Sequence, residues 1–122
     1  MGLGSFLKRL IARLTRSPVP QPQGLIRVLL DPTAEFGDRD DAALDLGAYA
    51  QPEAEAALLR VACDPSSDLQ LVDTCGEALG EIWCRKGKLN LEAIQQLPDA
   101  ARLTATAVIE SQRPEWVAQL KK

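Results

Sequence analysis

From Gly24 to the C-terminus, hydrophobic residues recur at intervals of three or four positions, with polar residues between them. That interval is the repeat of one face of an α-helix, whereas a strand exposed on one side would alternate. Proline, glycine and short polar runs interrupt the pattern at several points. The pattern therefore predicts an all-α chain with helices over 24–30, 39–50, 53–63, 68–86, 91–97 and 100–112, and a last helical turn from Pro114.

Polar residues near the start of these segments are of the types that cap helices. The sequence predicts the following N-caps: Asp38, Asn90, Asp99 and either Ser66 or Ser67. Pro52 suits the first turn of a helix. Gly87 suits the residue that ends one.

The segments LIRVLLDP at 25–32 and LLRVACDP at 58–65 are nearly the same eight residues, 33 positions apart. The same offset, which we call the repeat register, relates three further pairs of identical residues: Asp40 and Asp73, Leu46 and Leu79, Gly47 and Gly80. A period of this length with two helices in each unit is typical of a helical solenoid, in which each helix pair covers the open apolar face of the next. We therefore expect a short right-handed helical solenoid over residues 24–122, with 91–122 as an eroded third unit.

Four segments carry a pattern of small and apolar residues around a turn: DAALDLGAY at 41–49, QPEA at 51–54, ALLRVACD at 57–64 and VDTCGEALGEI at 72–82. This pattern resembles HEAT-type repeats, in particular the short repeats of phycobilin-lyase-like proteins. The resemblance implies helix pairs in which small residues and a glycine permit close approach. It covers residues 24–86 well and 87–122 weakly, and it departs at Asp41 and Asp73, where such repeats often carry an arginine. Because a fold does not determine a function, the resemblance implies an architecture rather than an activity.

Residues 1–16 predict a separate basic amphipathic helix. Phe6 belongs to its apolar face, and the opposite side carries four cations: Lys8, Arg9, Arg13 and Arg16. Such a helix can pack against its own domain or a partner, or lie on an anionic membrane, and the sequence leaves these alternatives open. Three prolines at alternate positions make residues 17–23 a linker before the repeat domain.

Three cysteines and no histidine, with no closely spaced cysteine pair, argue against a zinc site. We interpret Cys63, Cys75 and Cys84 as small buried thiols of a reducing compartment, and we predict a cytoplasmic protein; a redox or regulatory thiol remains an alternative. Without histidine there is no imidazole base, and there is no glycine-rich phosphate loop. The sequence therefore predicts no enzymatic activity and no cofactor.

Charge is distributed unevenly along the chain. Residues 1–30 carry five basic and no acidic side chains, residues 31–81 two basic and thirteen acidic, and residues 82–122 seven basic and four acidic. The acidic middle should repel nucleic acid and attract basic proteins.

Acidic residues at helical spacing form two stripes: Asp38, Asp41 and Asp45 in one, Asp73, Glu77 and Glu81 in the other. Stacked units are expected to set these stripes side by side, as a solubilising face or as a docking surface. Tyr49 and Trp83 are candidate aromatic contacts of such a surface, because binding hot spots are enriched in these residue types.

The predicted function is a non-enzymatic protein–protein interaction module. Its most specific form is a small acidic immunity or inhibitor protein that binds a basic partner such as a toxin nuclease. One alternative is an adaptor at the membrane surface that uses residues 1–16. Another is a chromophore-lyase-like subunit.

Overall fold

The computed structural model describes residues 22–121, and within them the chain is all-helical, with no strand. The seven helices of this range are α1 (Gln23–Leu30), α2 (Phe36–Leu46), α3 (Pro52–Ala62), α4 (Leu69–Lys86), α5 (Leu91–Gln96), α6 (Asp99–Gln112) and α7 (Val117–Leu120). A 3₁₀ turn over Pro114–Trp116 precedes α7. The predicted all-α class is confirmed.

Several predicted boundaries are confirmed. Helix α1 ends at Leu30, directly before Asp31 and Pro32, and Pro52 is the first residue of α3. The Asn90 side chain accepts a hydrogen bond from the backbone of Ala93 and caps α5. Gly87 ends α4 with a positive φ, in the left-handed conformation that a Cβ disfavours.

The predicted N-caps of α2 and α6 are wrong. Helix α2 begins at Phe36, so Asp38 lies in its first turn, where a negative charge is favourable but does not cap. Asp99 is likewise the first residue of α6, after Pro98. Helix α2 also ends at Leu46 rather than at residue 50.

The predicted serine cap of α4 is also wrong. Asp68 caps this helix by accepting a hydrogen bond from the backbone of Gln70. The two serines belong to the preceding turn instead: Ser66 bonds to the Asp64 carboxylate, and the Ser67 hydroxyl donates to the carbonyl of Val61. Turn hydrogen bonds of this kind compete with capping for the same side chains.

Helices α3 and α4 form an antiparallel pair. Glu55, near the start of α3, bonds to Trp83 near the end of α4, whereas the end of α3 meets the turn that begins α4. Helices α1 and α2 also pack together, and the Arg39 Nε donates to the carbonyl of Leu29 across this pair at 3.0 Å.

Helices α4 and α6 run parallel and approach closely. A Cβ added to Gly76 would lie 2.7 Å from the Cα of Ala101, and one added to Gly80 would lie 2.9 Å from the Cβ of Val108. Further along, Arg113 donates to the carbonyl of Cys84 at 2.8 Å. Because residue numbers rise together on the two sides of this contact, the two helices have the same direction.

Helix α2 packs against another side of α4. A Cβ on Gly47 would lie 3.2 Å from the Cα of Ala78. Ala78 and Gly76 are two positions apart and so point about 200° apart around the helix. Helix α4 therefore lies between α2 and α6.

Two positions of the third unit can be compared with the first two units in the repeat register. Pro32, Pro65 and Pro98 stand at equivalent positions of the three units. Ile94 in α5 stands in the register of Val61 in α3, and both are buried. The predicted solenoid itself stays a prediction, which the helix directions given above favour.

The core lies around α4, which supplies more buried side chains than any other helix of the described range. Cys75 and Cys84 belong to this core, as predicted, and burial raises the pKa of the Cys75 thiol to about 12. The prediction is wrong for Cys63, which is exposed because it ends α3 in the loop.

The predicted helix at 1–16 and residues 17–21 of the linker lie outside the described residues. Pro22 is buried, and α1 begins at Gln23 rather than at residue 24. Within residues 22–121, no helix combines the length and the apolar character needed to cross a membrane.

We predict that Gly76→Ala destabilises the fold, although alanine is about 1 kcal/mol better than glycine in a helix interior. The added methyl meets the backbone of Ala101, which cannot rotate away. Overpacking should therefore cost about 1–3 kcal/mol net. Urea unfolding would measure the change at constant slope. The control is Gln70→Ala, at an exposed position of the same helix. It should change stability by less than about 0.5 kcal/mol. Stabilisation by Gly76→Ala would contradict the close approach.

Candidate functional site

The first acidic stripe lies on the side of α2 that is turned away from α4. The repeat register pairs the three aspartates of this stripe with three residues of α4: Leu71, Thr74 and Ala78. In α4 these residues lie on the side that faces α2. Ala78 contacts Gly47 of α2, and Leu71 is buried. By the same geometry, Asp38, Asp41 and Asp45 are directed away from α4. All three are half-buried.

The second stripe has different equivalents in α2. Asp73 stands in the register of Asp40, and Glu77 stands in the register of Leu44. The predicted side-by-side placement of the two stripes is therefore wrong, because they occupy different sides of their helices. A single group is formed instead by four residues, which we name the acidic face: Asp40 of α2 with Asp73, Glu77 and Glu81 of α4.

Glu77 is the centre of the acidic face. Its carboxyl is half-buried, and burial raises its pKa above the ordinary value. The charges of Glu81, Asp73 and Asp40 raise the pKa further. The charged groups that shift Glu77 are therefore all carboxylates, from both α2 and α4, and ionised Glu77 is electrostatically strained at neutral pH.

The two flanking acids are held by α6. Asp73 accepts a hydrogen bond from the Thr104 hydroxyl. Glu81 accepts from the Gln112 amide at 3.1 and 3.2 Å, and the Arg85 guanidinium approaches it at 3.9 Å. These contacts fix the orientation of both carboxylates on either side of Glu77. The acidic face is thus positioned by three helices.

Asp40 is a site residue that the reading of the sequence missed. Its Oδ1 atom is closed to solvent and has no hydrogen-bond partner among residues 22–121. Its charge raises the pKa of both Glu77 and Cys75, so it lies at the contact between α2 and α4. The signal that could have found it was present, since Asp40 and Asp73 are one of the pairs related by the repeat register.

Trp83 is not part of a binding surface, which corrects its prediction as an aromatic contact. Its side chain is 0% exposed, and its indole Nε1 donates to the Glu55 carboxylate at 3.0 Å. Tyr49 is half-buried and packs against the core at the end of α2.

Glu55 forms a polar tie between α3 and the end of α4. Its carboxylate also accepts from the Asn90 amide at 2.8 Å and from the Lys86 ammonium at 3.4 Å. Burial alone would raise the pKa of Glu55, but these hydrogen bonds and the Lys86 charge hold it below its ordinary value. No local pattern signals this cluster, because its members are far apart along the chain.

A shallow groove of about 310 Å³ lies at the loop between α3 and α4, beside the start of α4. Cys63 and Leu69 line it, and Leu69 is 72% exposed. Cys63 approaches the carbonyl of Gln96 across the groove at 3.9 Å.

Within residues 22–121, no three histidine, cysteine or carboxylate side chains come together in a group that could hold a metal ion. Comparison of the chain with models of protein families, with curated proteins and with solved structures found no match.

We predict that Glu77→Gln stabilises the protein at neutral pH. The folded state holds the Glu77 proton to higher pH than the unfolded chain, because the folded pKa is raised. Stability is therefore lost as pH rises from the ordinary pKa through the folded one. The variant avoids this loss, so its Tm should exceed that of the parent at pH 7, and the gain should vanish at about pH 3.5.

Thermal unfolding followed by circular dichroism at both pH values would measure this effect. Glu53→Gln, which removes an exposed acid from α3, is the matched control and should give no gain at pH 7. A Glu77→Gln variant that is less stable than its parent at neutral pH would show that Glu77 is not strained.

Proposed function

We propose that this chain is a non-enzymatic protein-binding module that takes a basic protein partner on its acidic face. The observation that carries the proposal is the environment of Glu77, whose charged neighbours Asp40, Asp73 and Glu81 are all acidic. A cationic side chain placed over this group would relieve the repulsion, and the relief would add to the binding free energy.

The proposed architecture is a short right-handed helical solenoid similar in form to HEAT-type repeats. Three helix pairs, α1–α2, α3–α4 and α5–α6, follow the repeat register. The contacts of α2, α4 and α6 support a stack of second helices, since α4 lies between the other two and runs parallel to α6. A stack of this kind presents one continuous surface for a partner, which is how repeat proteins bind.

The acidic face is held in place in the absence of a partner. Hydrogen bonds from Thr104 and Gln112 orient Asp73 and Glu81. A preorganised surface loses less conformational entropy on binding than a flexible one. Leu44, four residues after Asp40 on the same helix, is 36% exposed. It adds an apolar contact to a surface that would otherwise bind by charge alone.

The most specific form of the proposal is an immunity or inhibitor protein. Nucleases bind the phosphate backbone with lysine and arginine, so their active surfaces are basic. A rigid acidic surface complementary to such a cleft would block substrate access, and charge complementarity would speed the encounter. A toxin nuclease is therefore the partner class that fits the acidic face best.

The test is affinity capture from the native cells with three versions of the full chain, read by quantitative mass spectrometry. The first is the parent, and the second combines Asp73→Asn, Glu77→Gln and Glu81→Gln. The third, a control that removes the same number of charges elsewhere, combines Glu53→Gln, Glu92→Gln and Glu115→Gln.

We expect one basic protein to be retained by the parent and by the control, and to fall at least about tenfold with the acidic-face variant. Such a loss corresponds to about 1.4 kcal/mol of binding free energy. Thermal unfolding would show that both triple variants remain folded. Equal capture by the two triple variants would contradict the assignment of the partner to the acidic face.

A further inference from the structure

The groove at the loop between α3 and α4 lies where two repeat units meet. Cys63 and Pro65 line it from the loop of the second unit, and Gln96 and Pro98 line it from the third. Leu69, the first residue of α4, also lines it and is 72% exposed. The apolar surface of this leucine leaves water when an apolar group enters the groove, which favours the entry of such a group.

The repeat register indicates why this space is open. Cys63 stands in the register of Leu30, which packs against the core at the end of α1. A cysteine side chain is smaller than a leucine side chain, so the second unit fills less volume at this position than the first unit does. A leucine of another chain can supply the missing volume.

The charge at the groove is negative. Within residues 22–121, Asp64 is the one charged residue that lines it. The backbone N–H and the hydroxyl of Ser66 donate to the Asp64 carboxylate at 2.9 and 2.8 Å, and these bonds hold the pKa of Asp64 below its ordinary value. The charges of Arg39 and Arg60 lower this pKa as well. Asp64 is therefore ionised at neutral pH, and the groove favours an apolar group that carries cations nearby.

The groove is continuous with the acidic face along α4. Leu69, Asp73, Glu77 and Glu81 follow one another at intervals of four residues, so they form one inclined row on the helix. At 1.5 Å per residue, Asp73 lies about 6 Å and Glu77 about 12 Å along the axis from Leu69. An extended chain advances about 3.3 Å per residue and points alternate side chains to one side. The second and fourth residues from an anchored apolar side chain therefore reach these two carboxylates.

We propose that the groove is the apolar part of the partner-binding surface and takes a leucine side chain of an extended basic segment. Lysine or arginine at the second and fourth positions from that leucine binds Asp73 and Glu77. The inference rests on the function proposed for the acidic face. It adds to that function a sequence pattern in the partner, which is one apolar residue with cations at alternate positions beside it.

The test is an NMR titration of the isotope-labelled full chain with capped, glycine-based peptides of defined sequence. One peptide carries lysines at the second and fourth positions after a leucine, and another carries them before it. Matched peptides have serine in place of the leucine. We expect at least one leucine peptide to bind about fivefold more tightly than its serine counterpart, because a shallow groove gives part of the full transfer free energy of leucine. Equal affinities within both pairs would overturn the proposal.

Two variants remove the apolar contact in different ways. Cys63→Leu introduces the side chain that the first unit carries in this register and should fill the groove. Leu69→Gln removes an apolar wall of the groove. Both should abolish the preference for the leucine peptide, and thermal unfolding would show that they remain folded. A preference that persists in both variants would contradict the assignment to the groove.

Two further variants are the matched controls. Cys63→Ser keeps the size of the side chain and leaves the groove open. Leu103→Gln changes a leucine that is 74% exposed and does not line the groove. Both controls should keep the preference for the leucine peptide. Loss of the preference in Leu103→Gln would place the apolar contact elsewhere and overturn the proposal.

The serine peptides separate this inference from the function on which it rests. Their binding depends on charge, so it should weaken as salt rises and when Asp73→Asn, Glu77→Gln and Glu81→Gln are combined. Failure of every lysine peptide to bind would contradict the acidic face itself. Equal binding of serine and leucine peptides would contradict the groove alone.

Other occupants of the groove give distinct results, each of which overturns the proposal. A leucine peptide whose affinity is unchanged by the acidic-face variant would show that the groove binds apolar groups without the carboxylates. Amide shifts at Cys63 and Leu69 that grow with protein concentration, in the absence of peptide, would assign the groove to a second copy of the chain.

Discussion

The close approach of α4 to α6 at Gly76 and Gly80 is the contact on which the rest of the described structure depends. It brings two helices so near that the backbone of Ala101 fills the space a side chain would need. The two helices run parallel at this distance, which brings Thr104 and Gln112 to the carboxylates of α4. The hydrogen bonds that orient the acidic face therefore exist because two glycines keep the helices close.

The position of α4 also determines which acidic side chains lie close to one another. It contacts α2 on one side and α6 on another, so a carboxylate of α2 can be near α4 or far from it according to its angle around the helix. Asp40 falls near α4 and joins Glu77 in one electrostatic group. Asp38, Asp41 and Asp45 fall on the opposite side of α2, away from α4. The acidic residues of α2 thus lie on two different sides of the helix, and only one of these sides joins the acidic face.

The sequence predicted helices and their ends where a backbone constraint acts locally, as at Pro52, Asn90 and Gly87. It failed at Asp38, Ser66 and Ser67, since several polar residues in a row can cap a helix and tertiary contacts choose among them. The burial of Trp83 and its bond to Glu55 depend on the packing of α3 against α4, which no local pattern contains. The place of Asp40 in the acidic face could have been predicted from the sequence, because the repeat register already paired Asp40 with Asp73.

The most direct measurement of the central contact is the pattern of nuclear Overhauser effects between α4 and α6 in the full chain. We expect cross-peaks from Gly76 to Ala101 and from Gly80 to Ala105, because the two helices are parallel and close at both glycines. A pattern in which Gly76 meets Ala105 while Gly80 meets Ala101 would mean antiparallel helices. That result, or the absence of contacts from both glycines to α6, would contradict the stacked arrangement and the acidic face built on it.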